Sequence, residues 1–132
     1  MRFCSIASGS SGNCIYVGSE NTHVLVDTGI SGKKMEAGLN SLDLTGRDLD
    51  GILITHEHSD HIKGLGVISR KYGIPIYTTG GTVDAMVRTN ALGKIPGEIF
   101  HEIKEDESFE IGDLTVKPFS IPHDAAQPVG YR

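Results

Sequence analysis

Apolar residues along the chain form short runs or alternate with polar ones, and this pattern predicts a mixed order of strands and helices. Strands are predicted at residues 2–7, 14–17, 22–26, 51–55, 75–79, 98–103, 108–111 and 114–121. The order indicates one α/β domain over residues 1–132, with a sheet that carries helices on its outer face.

Three stretches between these strands have helical spacing. The first begins after Ser31, a residue type that favours the N-cap. The second covers residues 61–72 and ends at Gly73, and the third is predicted to begin at Thr82. Gly64 lies inside the second helix and lowers its stability, which indicates close packing or a loop-like first turn.

The run His56-Glu57-His58-Ser59-Asp60-His61 carries the main chemical signal. Imidazole nitrogens bind zinc, iron and manganese, and a carboxylate adds a hard oxygen ligand. In an extended segment, His56 and His58 point the same way, while Asp60 and His61 follow where the chain must bend. One pair could hold one cation and the second pair a neighbour, as in two-metal hydrolytic centres. A His-rich surface tract is the alternative, but the buried strand just before the run favours a ligand loop.

Composition and charge exclude few classes of function. The chain has a formal net charge of −5, which argues against binding nucleic acid mainly by neutralising phosphates, although bound cations would add positive charge locally. It has neither an apolar run long enough to cross a membrane nor an N-terminal signal pattern, so a cytoplasmic location is predicted. Cys4 and Cys14 are expected to be buried thiols.

A loop of small hydroxyl residues and glycines lies between the first two strands. Such a loop can approach a phosphate closely, which makes Ser10 and Asn13 candidate substrate-binding residues. A plain hairpin turn explains the same residues equally well. His23 and His101 are expected to be surface residues.

The pattern His56-x-His58-x-Asp60-His61 resembles the signature of the metallo-β-lactamase superfamily. The flanking segments at residues 8–14, 26–29, 121–125 and 128–132 resemble its YycJ/WalJ-type subfamily, described as metal-dependent 5′-to-3′ exonucleases on double-stranded DNA. The resemblance covers the whole chain. It implies a four-layer αββα sandwich, of which this chain matches the N-terminal half and the start of the second half.

The resemblance also implies a ligand set for two divalent metal ions, zinc or manganese. His56, His58 and His123 would hold the first, and Asp60 and His61 the second. Asp60 would also orient the nucleophile and act as a base, and Asp27 would support the ligand loop. The alternatives to these functional roles are structural: His123 could be an ordinary loop histidine, Asp60 a helix N-cap, and Asp27 part of an Asx turn.

Two features limit these expectations. Glu57 is expected to point away from the metals, and a histidine at position 58, where flavodiiron proteins have Glu, argues against redox iron chemistry. The later bridging Asp and final His of the superfamily pattern have no counterpart in this chain.

The predicted function is a metal-dependent phosphodiesterase, a DNA exonuclease that uses a metal-bound hydroxide. One alternative is a thioester or lactone hydrolase of the same fold. The other is a non-catalytic fragment or metal-binding module. DNA is the expected partner, with no membrane. An isolated half would expose a sheet face, so a homo-oligomer or association with the C-terminal half is also expected.

Overall fold

The computed structural model describes residues 1–9, 11–122 and 125–132. Its strands are β1 (Arg2–Ala7), β2 (Cys14–Gly18), β3 (His23–Val26), β4 (Gly51–Leu53), β5 (Ile76–Thr79), β6 (Phe100–Ile103), β7 (Phe109–Ile111), β8 (Leu114–Val116), β9 (Pro118–Ser120) and β10 (Val129–Tyr131). Its α-helices are α1 (Gly32–Asn40), α2 (Ser59–Ile62), α3 (Leu65–Tyr72) and α4 (Gly80–Arg88). Short 3-10 turns lie at Gly46–Asp48 and Gly97–Ile99. Within that part of the chain, no helix is long and apolar enough to span a bilayer.

A mixed six-stranded sheet, ordered β1-β2-β3-β4-β5-β6, forms the centre of the fold. The first three strands run antiparallel, and β3 to β6 run parallel. Val26 at the end of β3 pairs with Leu53 at the end of β4, so the chain leaves both strands side by side. The loops after these strands share the carboxyl edge of the sheet, where sites form in α/β proteins.

Each face of the sheet buries an apolar layer. On one face, Tyr16, Leu25 and Ile52 share a core with Met35 of α1 and Leu65 of α3. On the other face lies a smaller cluster that includes the β7–β8 hairpin: Val24, Leu53, Ile111, Leu114 and Val116. Full burial of one such side chain stabilises the fold by roughly 1.5–3 kcal/mol. The layers are therefore helices, a large sheet, and the start of a second sheet.

The predicted helix over residues 61–72 is wrong in its extent, because the chain forms two helices, α2 and α3, that break at Lys63 and Gly64. Gly64 donates its N–H to the Thr28 carbonyl at 2.8 Å, and a Cβ there would collide with the Ile30 carbonyl. The break therefore lets the β3–α1 loop pack directly on the motif segment. The predicted stop at Gly73 is confirmed by its left-handed backbone, φ 64°.

Two other boundaries differ from the prediction. Thr82 is not a cap: α4 begins at Gly80 after Thr79, and Thr82 lies inside the helix, fully buried. The predicted strand over residues 114–121 is two strands, because β8 pairs with β7 whereas β9 pairs with β10. The other seven predicted strands are confirmed, with ends shifted by at most two residues.

The two cysteines lie on neighbouring strands without facing each other. Cys4 is opposite Tyr16, and Cys14 is opposite Ala7. Both thiols are free. Burial, followed by the charge of Asp27, raises the pKa of Cys14 to about 12, so this thiol stays protonated.

Candidate metal centre

The motif run leaves β4 at the carboxyl edge of the sheet and turns into α2. Ile54 still follows the sheet, since its N–H donates to the Tyr77 carbonyl at 3.1 Å. His58 has extended backbone and precedes α2, which begins at Ser59 without a side-chain cap. Asp60 lies in the first turn of this helix, so the alternative prediction that Asp60 is its N-cap is wrong.

The turn brings three imidazoles of the motif together. The rings of His56 and His58 meet edge to face with centroids 4.8 Å apart, and those of His56 and His61 lie 4.0 Å apart. His61 Nε2 is 3.5 Å from Asp60 Oδ2. His56 is buried, whereas the Asp60 side chain is 33% exposed, so the group opens to solvent on the Asp60 side.

Asp27 follows β3 and lies beneath these side chains. Its backbone is left-handed, φ 63°, a conformation that Asp tolerates better than most residues. One carboxylate oxygen, Oδ1, accepts the Thr55 N–H at 2.8 Å. The other, Oδ2, accepts the Thr55 hydroxyl at 2.8 Å and contacts His61 Nδ1 at 2.6 Å. Asp27 thus ties the end of β4 to the start of α2.

These contacts fix the protons of two imidazoles. An ionised carboxylate only accepts hydrogen bonds, so His61 donates from Nδ1–H to Asp27 and keeps its lone pair on Nε2. The Thr55 hydroxyl gives its one proton to Asp27. It must therefore accept from His56 Nδ1, which lies 2.8 Å away. His56 then also carries its lone pair on Nε2, the form in which imidazole binds a cation.

Opposing influences act on His61. Burial, the largest of them, lowers its pKa. The hydrogen bond to Asp27 and the charges of Asp27 and Asp60 raise it, and together they prevail, so the pKa of His61 lies above its ordinary value. The acidic neighbours therefore make the site favourable to positive charge.

Asn13, a candidate substrate-binding residue, turns its side chain towards the motif. Its Nδ2 lies 3.2 Å from Asp60 Oδ2 and 3.3 Å from His61 Nε2. The backbone N–H of Asn13 donates to the Asp60 carbonyl at 2.8 Å. Gly29 allows the Asp60 carbonyl to come this close, because a Cβ at position 29 would collide with it. The Ser/Gly loop is thus attached to the ligand segment.

Glu57 contacts the segment after residue 124. Its Oε2 accepts the Ala126 N–H at 2.9 Å. The next residue, Gln127, is held by the Gly81 N–H on its side-chain oxygen and by the Thr79 hydroxyl on its carbonyl, both at 2.8 Å. The segment from Ala126 onwards is therefore anchored beside the motif.

Sequence reasoning missed Thr55, Gln127 and the anchoring role of Glu57. The signal for Thr55 was a hydroxyl residue directly before a predicted ligand histidine. Gln127 had no such signal, because its partners lie 46 and 48 residues away. His101 is exposed, as predicted, and stacks on Tyr77, whereas His23 is partly buried and its Nδ1 contacts Tyr16 Oη at 2.6 Å.

The donor chemistry at this edge suits a divalent cation, since two imidazoles present Nε2 lone pairs beside a carboxylate. The part of the chain that the structure describes contains no group of three or more His, Cys, Asp or Glu side chains arranged to hold a metal ion. His123, the third imidazole of the predicted first site, lies outside the described residues, as does Ser10. The ligand set therefore stays a prediction.

Comparison with known proteins identifies relatives along nearly the whole chain. The family model described as the metallo-beta-lactamase superfamily matches residues 7–131. The chain is 44% identical to exodeoxyribonuclease YycJ of Bacillus anthracis over 131 residues, which are 99% of this chain and 49% of that protein. It is 42% identical to exodeoxyribonuclease WalJ of Streptococcus pneumoniae serotype 2 strain D39, again over 99% of this chain and 49% of that protein.

Solved structures agree on the fold. Rm3 metallo-beta-lactamase superposes with a TM-score of 0.81 at 21% identity, covering 98% of this chain and 52% of that one. The predicted α/β fold is therefore confirmed, and the chain spans about half the length of the relatives it matches.

Proposed function

Because the chain belongs to the metallo-beta-lactamase superfamily, we propose that the protein containing it is a metal-dependent phosphodiesterase that degrades DNA as a 5′-to-3′ exonuclease. The observation that carries this proposal is the pair of imidazoles, His56 and His61, that Asp27 and Thr55 orient so that each has its proton on Nδ1 and its lone pair on Nε2. The similarity to two proteins named exodeoxyribonucleases over 99% of the chain supports the DNA substrate.

His56, His58 and His123 would hold the first of two cations. Support for His123 comes from the anchored segment that follows it. Ala126, three residues later in the chain, donates its N–H at 2.9 Å to Glu57, which lies between two of the proposed ligands.

Asp60 and His61 would contribute to the second site. The Asp60 side chain is 33% exposed and that of His61 17%, and the greater exposure suits a carboxylate that orients the attacking water and accepts its proton. Asp27 keeps the His61 proton on Nδ1, so that Nε2 carries the lone pair that a metal ion would bind. When bound, the two cations supply activation of the water and neutralisation of the phosphoryl charge.

The ligand types allow either zinc or manganese, since imidazole nitrogen and carboxylate oxygen bind both metals. DNA binding would not depend on overall attraction, because the chain carries a net charge of −5. Attraction to phosphate would instead be concentrated at the cations, where their positive charge exceeds that of any single side chain.

A nuclease assay on the full-length protein tests the proposal. We expect duplex DNA carrying a label at one 5′ end to lose it first, and chelation to abolish turnover that added zinc or manganese restores. His58→Ala should reduce turnover at least 100-fold, whereas His101→Ala, an exposed histidine on β6, should leave it unchanged. Undiminished turnover after complete metal removal would refute the proposal. Hydrolysis of model thioesters without DNA cleavage would favour the alternative hydrolase.

A further inference from the structure

The carboxamide of Asn13 has more hydrogen-bond acceptors around it than it can serve. Nδ2 carries two protons. Four acceptors lie within 3.0–3.3 Å of it: the Gly9 carbonyl, the Asp60 carbonyl, Asp60 Oδ2 and His61 Nε2. Two of these four atoms are the proposed ligand atoms of the second cation, and the other two are backbone oxygens that take no part in metal binding.

The two ligand atoms need a positive group near them. Because His61 donates from Nδ1 to Asp27, its Nε2 presents a lone pair to Asp60 Oδ2 at 3.5 Å. Two electron-rich atoms at this distance repel each other unless a donor or a cation bridges them. In this structure the bridging group is the NH2 of Asn13, which lies 3.2 Å from one atom and 3.3 Å from the other.

Asn13 is itself held independently of these two contacts. Its Oδ1 accepts the Gly9 N–H at 3.1 Å, which closes the Ser/Gly loop on the side chain. Its backbone N–H donates to the Asp60 carbonyl and its carbonyl accepts the Gly29 N–H, both at 2.8 Å. A cation could therefore take over Asp60 Oδ2 and His61 Nε2 while the NH2 group keeps its bonds to the two backbone oxygens.

We propose that Asn13 is a positioning residue: its carboxamide bridges Asp60 Oδ2 and His61 Nε2, holds both in ligating orientation, and yields them to the second cation. The inference rests on the proposed function, in which Asp60 and His61 bind that cation. It gives Asn13 a role distinct from the predicted substrate contact, because the side chain reaches the two proposed ligand atoms.

Zinc binding to the full-length protein tests this role. Affinity for each zinc is measured by competition with chelators of graded strength, starting from metal-free protein. Asn13→Ala should weaken the second zinc about 10- to 100-fold, the usual cost of losing a partner that orients a ligand, and change the first less than about 3-fold. Asn13→Ser, whose hydroxyl is too short to reach both ligand atoms, should do the same if the alanine variant fails to fold. Asn40→Ala, an exposed asparagine at the end of α1, serves as the control and should change neither.

Asp60→Ala separates the two proposals. If it loses the second zinc while Asn13→Ala and Asn13→Ser bind that zinc with wild-type affinity, the inference is overturned and the proposed function stands. Equal weakening of both zincs in the Asn13 variants also overturns it, since that result indicates general loosening. If the wild-type protein binds no zinc, or Asp60→Ala keeps both, the proposed function fails and the inference fails with it.

Discussion

Asp27→Asn changes one buried atom at the point where the ligand loop is oriented. Asn tolerates the left-handed backbone that Asp27 adopts, and its oxygen can still accept the Thr55 N–H, so the main chain should not move. The new NH2 group would face His61 Nδ1, where it can only donate. His61 would then have to carry its proton on Nε2, which is the proposed ligand atom.

The magnitude follows from the hydrogen bond that this substitution removes. The His61–Asp27 bond is 2.6 Å long and charge-assisted, and Asp27 is only 5% exposed, so its loss should lower the unfolding free energy of metal-free protein by about 2 kcal/mol. Forcing the other tautomer should weaken the second metal about 10- to 100-fold, which equals roughly 1.4–2.7 kcal/mol. Nuclease turnover at limiting metal should fall by the same factor.

Chelator competition and denaturant unfolding on the full-length protein provide the assay. Asp50→Asn is the matched control, because Asp50 also accepts a backbone N–H, from His23 at 2.9 Å, but lies exposed and away from the motif. Wild-type affinity for both metals in Asp27→Asn would show that the tautomer argument is mistaken.

Three further outcomes are expected. Cys14, with a pKa of about 12, should resist alkylation at pH 8, because only about 1 thiol in 10⁴ is ionised there, and it should react once the protein is denatured. Rapid labelling of Cys14 in the native protein, located by mass spectrometry, would contradict its burial. Gly29→Ala should lower the melting temperature and weaken the second metal, because its methyl group meets the Asp60 carbonyl; an unchanged melting temperature would count against this packing. The 132-residue chain should self-associate through its apolar sheet face, where Phe3 is 73% exposed. In sedimentation experiments, Phe3→Lys should reduce the association, whereas Val87→Lys on α4 should not. A monomeric wild-type chain would contradict this prediction.

The position of the histidine motif was predictable because its signals are local. An apolar run that ends in alternating histidines indicates a buried strand followed by a turn, and β4 and the motif segment have this arrangement. The pairing of β3 with β4, which brings Asp27 under Thr55, could not be read from spacing, since the two residues are 28 positions apart.

Details that depend on contacts between remote segments were missed. Gly64 signalled a weak helix, but the break into α2 and α3 depends on the β3–α1 loop packing against it. Likewise, the small residues around Asn13 indicate either a phosphate loop or a hairpin turn. Only the contacts with Asp60 and His61, 47 and 48 residues away, show what its side chain reaches.

A crystal structure of the full-length protein with manganese or zinc, located by anomalous scattering, tests the central claim most directly. We predict two metal peaks about 4 Å apart, one within about 2.2 Å of Nε2 atoms of His56 and His58 and of a nitrogen of His123, the other within about 2.2 Å of Asp60 and His61. A folded protein whose metals lie elsewhere, or in which His123 remains beyond coordination distance of the His56/His58 pair, would contradict it.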